Sequence, residues 1–119
     1  MNDIMLAKLS SFQRYKIHGN YIPAFIYRFF IPDILGNTVD RVLYLDGDVV
    51  CNGDIQKLLN VDLKENIIAA SEDLKSSEYG KRLNIQKYFN SGVLLIDIKK
   101  WNSHLILEQL TKEIEENIV

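Results

Sequence analysis

An α/β fold is what this sequence predicts, on three observations. Three short runs, Arg41 to Leu45, Ile67 to Ala70 and Val93 to Ile98, are apolar nearly throughout. That is the pattern of strands covered on both faces. Segments with helical spacing lie between and around these runs, and Gly, Asn and Asp mark the junctions. Strands alternating with helices in this way build an α/β sheet.

The elements follow in order. Met5, Leu9 and Phe12 recur at i, i+4 and i+7, which predicts a short amphipathic helix at the start. Lys16 to Asn20 reads as a loop. Pro23 suits a first helical turn, and Ile22, Phe25, Ile26, Phe29 and Phe30 give the helix after it a broad apolar face. Pro32 is expected to limit that helix, and Gly36-Asn37 to turn the chain. Arg41 to Leu45 is the clearest strand, with Val49-Val50 expected to continue the sheet beyond Asp46-Gly47-Asp48. Asn52-Gly53 is a turn, and Asp54 is placed to cap a short helix over Ile55 to Leu59. Ile67 to Ala70 is the second strand. Ser71 to Lys87 is polar and contains Gly80, so it reads as a loop with at most one helical turn. Val93 to Ile98 is the third strand. Asn102 or Ser103 is expected to cap a last helix, in which Ile106, Leu110, Ile114 and Ile118 repeat every four residues and Leu107 widens the stripe.

Composition narrows the class. The 119 residues amount to one domain, and 47% hydrophobic with 25% charged side chains is enough for an ordinary core. Fourteen basic and 16 acidic residues give a net charge of −2, which offers no electrostatic footprint for nucleic acid. No signal peptide is visible, and no stretch reaches the roughly 20 apolar residues of a membrane span. A lone cysteine, Cys51, excludes an internal disulfide framework and fits a reducing compartment; after two valines it is expected to be a small buried side chain.

The chemistry is concentrated at Asp46-Gly47-Asp48. Two carboxylates one residue apart, past the end of a buried strand, can face one hard cation, and Mg²⁺ or Mn²⁺ takes such oxygens while bridging to substrate phosphates. A bare D-x-D is also an ordinary turn, so its surroundings decide. Ligands of open α/β sheets bind beyond the carboxyl ends of strands. Asp46 and Asp48 lie there, and Asp73 follows the second strand in the same way. Asn90-Ser91-Gly92 precedes the third strand. If that strand runs antiparallel to the first, Asn90 reaches the same rim.

Three segments carry a family resemblance. Arg41-Val42-Leu43-Tyr44-Leu45-Asp46-Gly47-Asp48-Val49-Val50 resembles the metal-binding D-x-D segment of the family 8 glycosyltransferases. Tyr88-Phe89-Asn90-Ser91-Gly92-Val93-Leu94-Leu95-Ile96-Asp97, with Lys100-Trp101 behind it, resembles the family's second signature. Tyr27-Arg28-Phe29-Phe30-Ile31-Pro32-Asp33 is similar to its Y-R-L-F-I-P-[DE] helix. In this order and at this spacing the three cover most of residues 22 to 101.

The resemblance implies a partial GT-A fold, a mixed sheet flanked by helices with the D-x-D at its active edge. It implies a retaining transferase that uses UDP-galactose or UDP-glucose and Mn²⁺ (or Mg²⁺) to glycosylate a saccharide acceptor, as in bacterial lipopolysaccharide outer-core assembly. Asp46 and Asp48 match the metal-binding pair, with Asp46 also near the ribose. Arg28 matches the arginine that contacts the donor sugar and diphosphate, for which a planar guanidinium is suited. Asp73 matches an acid that binds donor or acceptor hydroxyls, and Asn90 an amide that hydrogen-bonds the donor sugar; these two are the expected catalytic residues. Gly92 matches a point where backbone passes close to the ligand. Trp101 is expected to pack in the core. The family implies a cytoplasmic protein, at most peripheral at the inner face of the membrane.

The chain also departs from the family. Nothing in Met1 to Asn20 resembles its first nucleotide-binding strand and helix. Val119 comes before the family's Q-x-D-x-x-N and H-x-x-G-x-x-K-P-W stretches, which supply a third metal ligand and a lysine for the diphosphate. His18 and His104 stand in the wrong context to replace that ligand. Ile22 and Phe25 stand where small hydroxyl residues are usual. The expectation is therefore one partial domain over 1–119, a central piece of such an enzyme, with exposed apolar surface that favours self-association. Two other classes fit less of the sequence. One is an inactive relic or interaction domain. The other is a phosphohydrolase, since L-D-x-D-x-V also opens the haloacid dehalogenase motif, although Val49-Val50 stands where a threonine usually follows.

Overall fold

The computed structural model describes residues 16–17, 20–21 and 23–117. The expected first helix, His18, Ile22 and Ile118 lie outside the described residues. The chain divides into two compact units, one of Val39–Ile98 and one that joins Met1–Thr38 to Lys99–Val119.

The unit of Val39–Ile98 is built on a three-stranded sheet. Its strands are β3 (Arg41–Leu45), β4 (Ile68–Glu72) and β5 (Phe89–Asp97), in the order β3-β5-β4. Both outer strands run antiparallel to β5, so β3 and β4 are parallel to one another. β5 is central because its residues are apolar on both faces: Leu94, Leu95 and Ile96 are successive in sequence and all buried. The register Leu43↔Leu95 and Ala69↔Leu95 sets this strand between its neighbours. Two helices complete the unit, α2 (Ile55–Leu59) and α3 (Ser76–Leu83). Asp54 caps α2 as expected, its carboxylate accepting the Gln56 N–H at 2.9 Å. Beyond α2, the Arg41 guanidinium donates to the carbonyls of Leu59 and Val61, both at 2.8 Å, and ties that segment to the first residue of β3.

The other unit holds a short antiparallel pair, β1 (Lys16–Ile17) with β2 (Asn20–Tyr21), and the helices α1 (Pro23–Leu35) and α5 (Ile106–Asn117). α4 (Ile98–Ser103) leads into it directly from β5. Phe29 stacks on Trp101 with ring centroids 6.2 Å apart, and Asn102 donates to the Pro32 carbonyl at 3.2 Å. Trp101 is buried as expected, although its indole N–H finds no acceptor among the described residues.

Several expectations are corrected. Lys16 to Asn20 is not a plain loop, because its ends pair as β1 and β2. Pro32 does not end α1; the helix continues to Leu35, since proline removes only the bond to the Arg28 carbonyl, and Gly36, at φ +55°, closes it. Val49-Val50 leaves the sheet, and Val50 is 86% exposed. Cys51 is exposed rather than buried, its thiol donating to the Gly53 carbonyl at 3.2 Å. Ser71 to Lys87 contains a two-turn helix, and β5 begins four residues before Val93. Asn102 and Ser103 belong to α4; the last helix starts after Leu105, which takes a left-handed φ of +52°. Along α5, Leu107 is buried and Ile106, Leu110 and Ile114 are half-buried, which matches the expected stripe.

Candidate functional site

The antiparallel direction of β5 settles which residues share a rim. β3 and β4 end where β5 begins, so Asp46, Asp73 and Asn90 meet at one edge of the sheet. Asp46 follows β3 directly and donates its N–H to the Gly92 carbonyl at 2.8 Å, extending the pairing by one residue. Its carbonyl accepts the Val49 N–H at 3.1 Å, which turns the chain through Gly47 and Asp48. Asp48 is exposed on that turn.

A hydrogen-bonded row crosses the rim from this turn. Tyr44 Oη donates to Asp46 Oδ1 at 2.7 Å. The Gly92 N–H donates to Asn90 Oδ1 at 2.8 Å, which turns the amide nitrogen of Asn90 toward Asp73 Oδ2, 3.5 Å away. Asp73 Oδ1 accepts the Lys75 N–H at 2.8 Å, and the Asp73 N–H donates to the Tyr88 carbonyl at 2.9 Å. Asp73 is thus held from both its backbone and its carboxylate.

Gly92 has a local reason to be glycine. A Cβ there would lie 2.6 Å from Asp46 Oδ2 and 3.0 Å from Asn90 Oδ1. The close approach that the motif implied is, in this chain, an approach of backbone to the Asp46 carboxylate.

The pairing of β4 with β5 breaks at this point. The register passes from Ala70↔Leu94 to Ser71↔Asn90 and skips Ser91, Gly92 and Val93 on β5. Such an irregularity bends a strand and frees the space beside it. A groove of about 470 Å³ occupies that space, lined by Ser71, Glu72, Asp73, Lys75, Asn90 and Val93 with the exposed Leu74 at its lip. Glu72 pairs loosely with Lys87 at 3.9 Å, so Asp73 is the carboxylate of this groove that is held by hydrogen bonds on the rim.

As a cation site the turn offers Asp46 and Asp48, two hard oxygen donors of the kind Mn²⁺ and Mg²⁺ take, and the pair fits such an ion as part of its shell. Among the described residues no group of three or more His, Cys, Asp or Glu side chains gathers on one ion, so substrate and solvent oxygens would fill the rest. Arg28 is buried on α1, in the other unit. His104 is exposed, with Nδ1 2.9 Å from the Lys100 carbonyl.

Two residues of this network were not singled out from the sequence. Tyr44 is one, and the signal was present: residues i and i+2 of a strand share a face, so Tyr44 and Asp46 point the same way. Ser76 is the other; buried at the start of α3, its Oγ accepts the Tyr88 N–H at 2.9 Å and fixes the turn that carries Asp73. That contact joins residues twelve apart and leaves no local pattern.

Known proteins share this fold. The galactosyltransferase LgtC, solved in complex with donor and acceptor sugar analogs, superimposes with a TM-score of 0.75 at 29% identity, over 91% of this chain and 41% of that one. The fold is therefore that of the GT-A sugar transferases. The model of glycosyl transferase family 8 matches residues 5–119, and the chain belongs to that family. Among curated relatives, the lipopolysaccharide 1,2-glucosyltransferase of Escherichia coli K12 is 40% identical over 92 residues, 72% of this chain and 27% of that protein. The lipopolysaccharide 1,3-galactosyltransferase of Salmonella typhimurium is 32% identical over 105 residues, 82% of this chain and 31% of its own. The chain thus spans about a quarter to a third of the length of these two relatives.

Proposed function

We propose that this chain carries the donor and metal site of a retaining hexosyltransferase that takes UDP-galactose or UDP-glucose and glycosylates a saccharide acceptor in lipopolysaccharide or another cell-surface glycan. One observation carries the reading. In a family 8 chain, the acidic turn, Gly92, Asn90 and Asp73 form one hydrogen-bonded row beside a groove of about 470 Å³.

Asp46 and Asp48 would hold Mn²⁺ or Mg²⁺ as carboxylate ligands. When bound, that ion supplies Lewis-acid stabilisation of the charge that grows on UDP as it leaves. Asp73 accepts hydrogen bonds from sugar hydroxyls in the groove. Asn90 keeps one amide hydrogen for the donor sugar while its oxygen stays on the Gly92 N–H. In the transfer, the bond from the sugar's anomeric carbon to the UDP oxygen breaks. A bond from the same face of that carbon to the acceptor oxygen forms, and the acceptor's proton passes to the departing phosphate oxygen of UDP. We assign these roles to a cytoplasmic protein, at most peripheral at the inner face of the membrane.

Calorimetry tests the reading. Titration with UDP-galactose or UDP-glucose is expected to give heat in the presence of Mn²⁺ and little without it. Absence of binding to both sugar nucleotides would leave the relic or interaction reading, and release of phosphate from simple phosphomonoesters would favour the hydrolase.

Self-association belongs to the same proposal. Val50, Leu74, Ile55 and Leu58 are exposed apolar side chains, and β3 and β4 are the outer strands among the described residues. Light scattering is expected to show an oligomer; a clean monomer with cooperative unfolding would contradict it.

A further inference from the structure

We infer that Tyr44 is a positioning residue for the metal site, acting through Asp46. The inference rests on the proposed role of Asp46 as a metal ligand. A flexible Asp side chain at the end of a strand samples several rotamers, and each must be frozen before an ion is bound. Here three contacts remove that freedom. Tyr44 Oη donates to Oδ1 at 2.7 Å, Oδ2 is seated against the bare Cα of Gly92, and the backbone N–H is fixed on the Gly92 carbonyl at 2.8 Å. Tyr44 itself is anchored by the sheet, since it stands opposite Leu94, a buried residue of the central strand. The phenol therefore reaches the carboxylate from a rigid element. Asp48 lies exposed on the turn beyond the strand, so the preorganised ligand of the pair is Asp46. A donor that orients a ligating carboxylate typically changes metal affinity by ten- to a hundredfold when removed.

The test is Tyr44→Phe in the full chain, which removes one oxygen and leaves the ring. Mn²⁺ alone is titrated and the free ion read by electron paramagnetic resonance. The expected result is Mn²⁺ affinity about tenfold weaker than in the parent chain, with thermal unfolding unchanged to within a few degrees. Tyr79→Phe, on the Tyr79–Tyr88 ring pair, serves as the control and is expected to bind Mn²⁺ as the parent does. Equal Mn²⁺ affinity in Tyr44→Phe and the parent would overturn the inference and leave the proposed function standing. No Mn²⁺ binding by the parent would overturn both. Should Tyr44→Phe fail to fold, the parent chain with ¹³Cζ-labelled tyrosine answers the same question. The Tyr44 signal is expected to move on titration with diamagnetic Mg²⁺. A Tyr44 signal that stays fixed while Mg²⁺ binds would overturn the inference.

Discussion

Replacing Gly92 with alanine is expected to weaken metal-dependent donor binding at least tenfold while leaving the fold in place. The added methyl would sit 2.6 Å from Asp46 Oδ2, closer than real side chains approach, and 3.0 Å from Asn90 Oδ1, a tight contact to which the amide must give. Neither atom belongs to the backbone, so the strain is relieved by rotating two side chains rather than by shifting β5. Rotation moves the Asp46 carboxylate off the Tyr44 hydroxyl and the Asn90 amide off the Gly92 N–H. A site ligand displaced by about 0.5 Å or more loses its geometry. UDP-sugar affinity in the presence of Mn²⁺ is therefore expected to fall at least tenfold, with the melting temperature nearly unchanged. Calorimetry and thermal unfolding on the same sample check both halves. A large loss of stability with binding retained would mean that Gly92 serves packing alone.

Replacing Ile96 with alanine is expected to have the largest effect on stability. Ile96 is wholly buried in the central strand, paired with Val42 on one side and Ile68 on the other. Truncating a buried Ile costs about 2–5 kcal/mol, because the lost transfer energy is joined by the cost of an incompletely filled cavity. Native stabilities run from about 5 to 15 kcal/mol, so the loss is a large part of the whole. Urea unfolding is expected to show a midpoint shift of this size with an unchanged slope. A shift below about 1 kcal/mol would show that β5 is not the centre of the core.

What could be read from the sequence follows from how local each signal is. β3 has the expected bounds because four successive apolar residues, Val42 to Leu45, behind Arg41 leave little choice. The cap at Asp54 is legible because side chain and N–H are two residues apart. The start of β5 was not, since Phe89 to Gly92 is polar in character and its strand conformation is imposed by pairing with Ser71 and Glu72 on β4. α3 was missed for a related reason. Its sequence is polar and holds Gly80, where a Cβ would lie 2.8 Å from the Ile85 carbonyl oxygen, so the glycine that reads as a helix breaker answers a close approach. The burial expected of Cys51 failed with the continuation of the sheet through Val49-Val50, on which it depended.

The site divides in the same way. The D-x-D and its strand are a local pattern, and Asn90 and Asp73 could be named from motifs. Their meeting depended on the direction of β5, which no local pattern fixes and which the antiparallel register supplies. The register break that opens the groove, and the Ser76 contact that steadies Asp73, are long-range pairings of the same kind.

The central claim is that the acidic turn is the metal end of a UDP-sugar site. Its most direct measurement is a calorimetric titration of UDP-galactose and UDP-glucose, with Mn²⁺, into the parent chain and into Asp48→Ala side by side. The expected result is binding by the parent that disappears in the variant, with both proteins folded. Binding that persists undiminished in Asp48→Ala would contradict the claim.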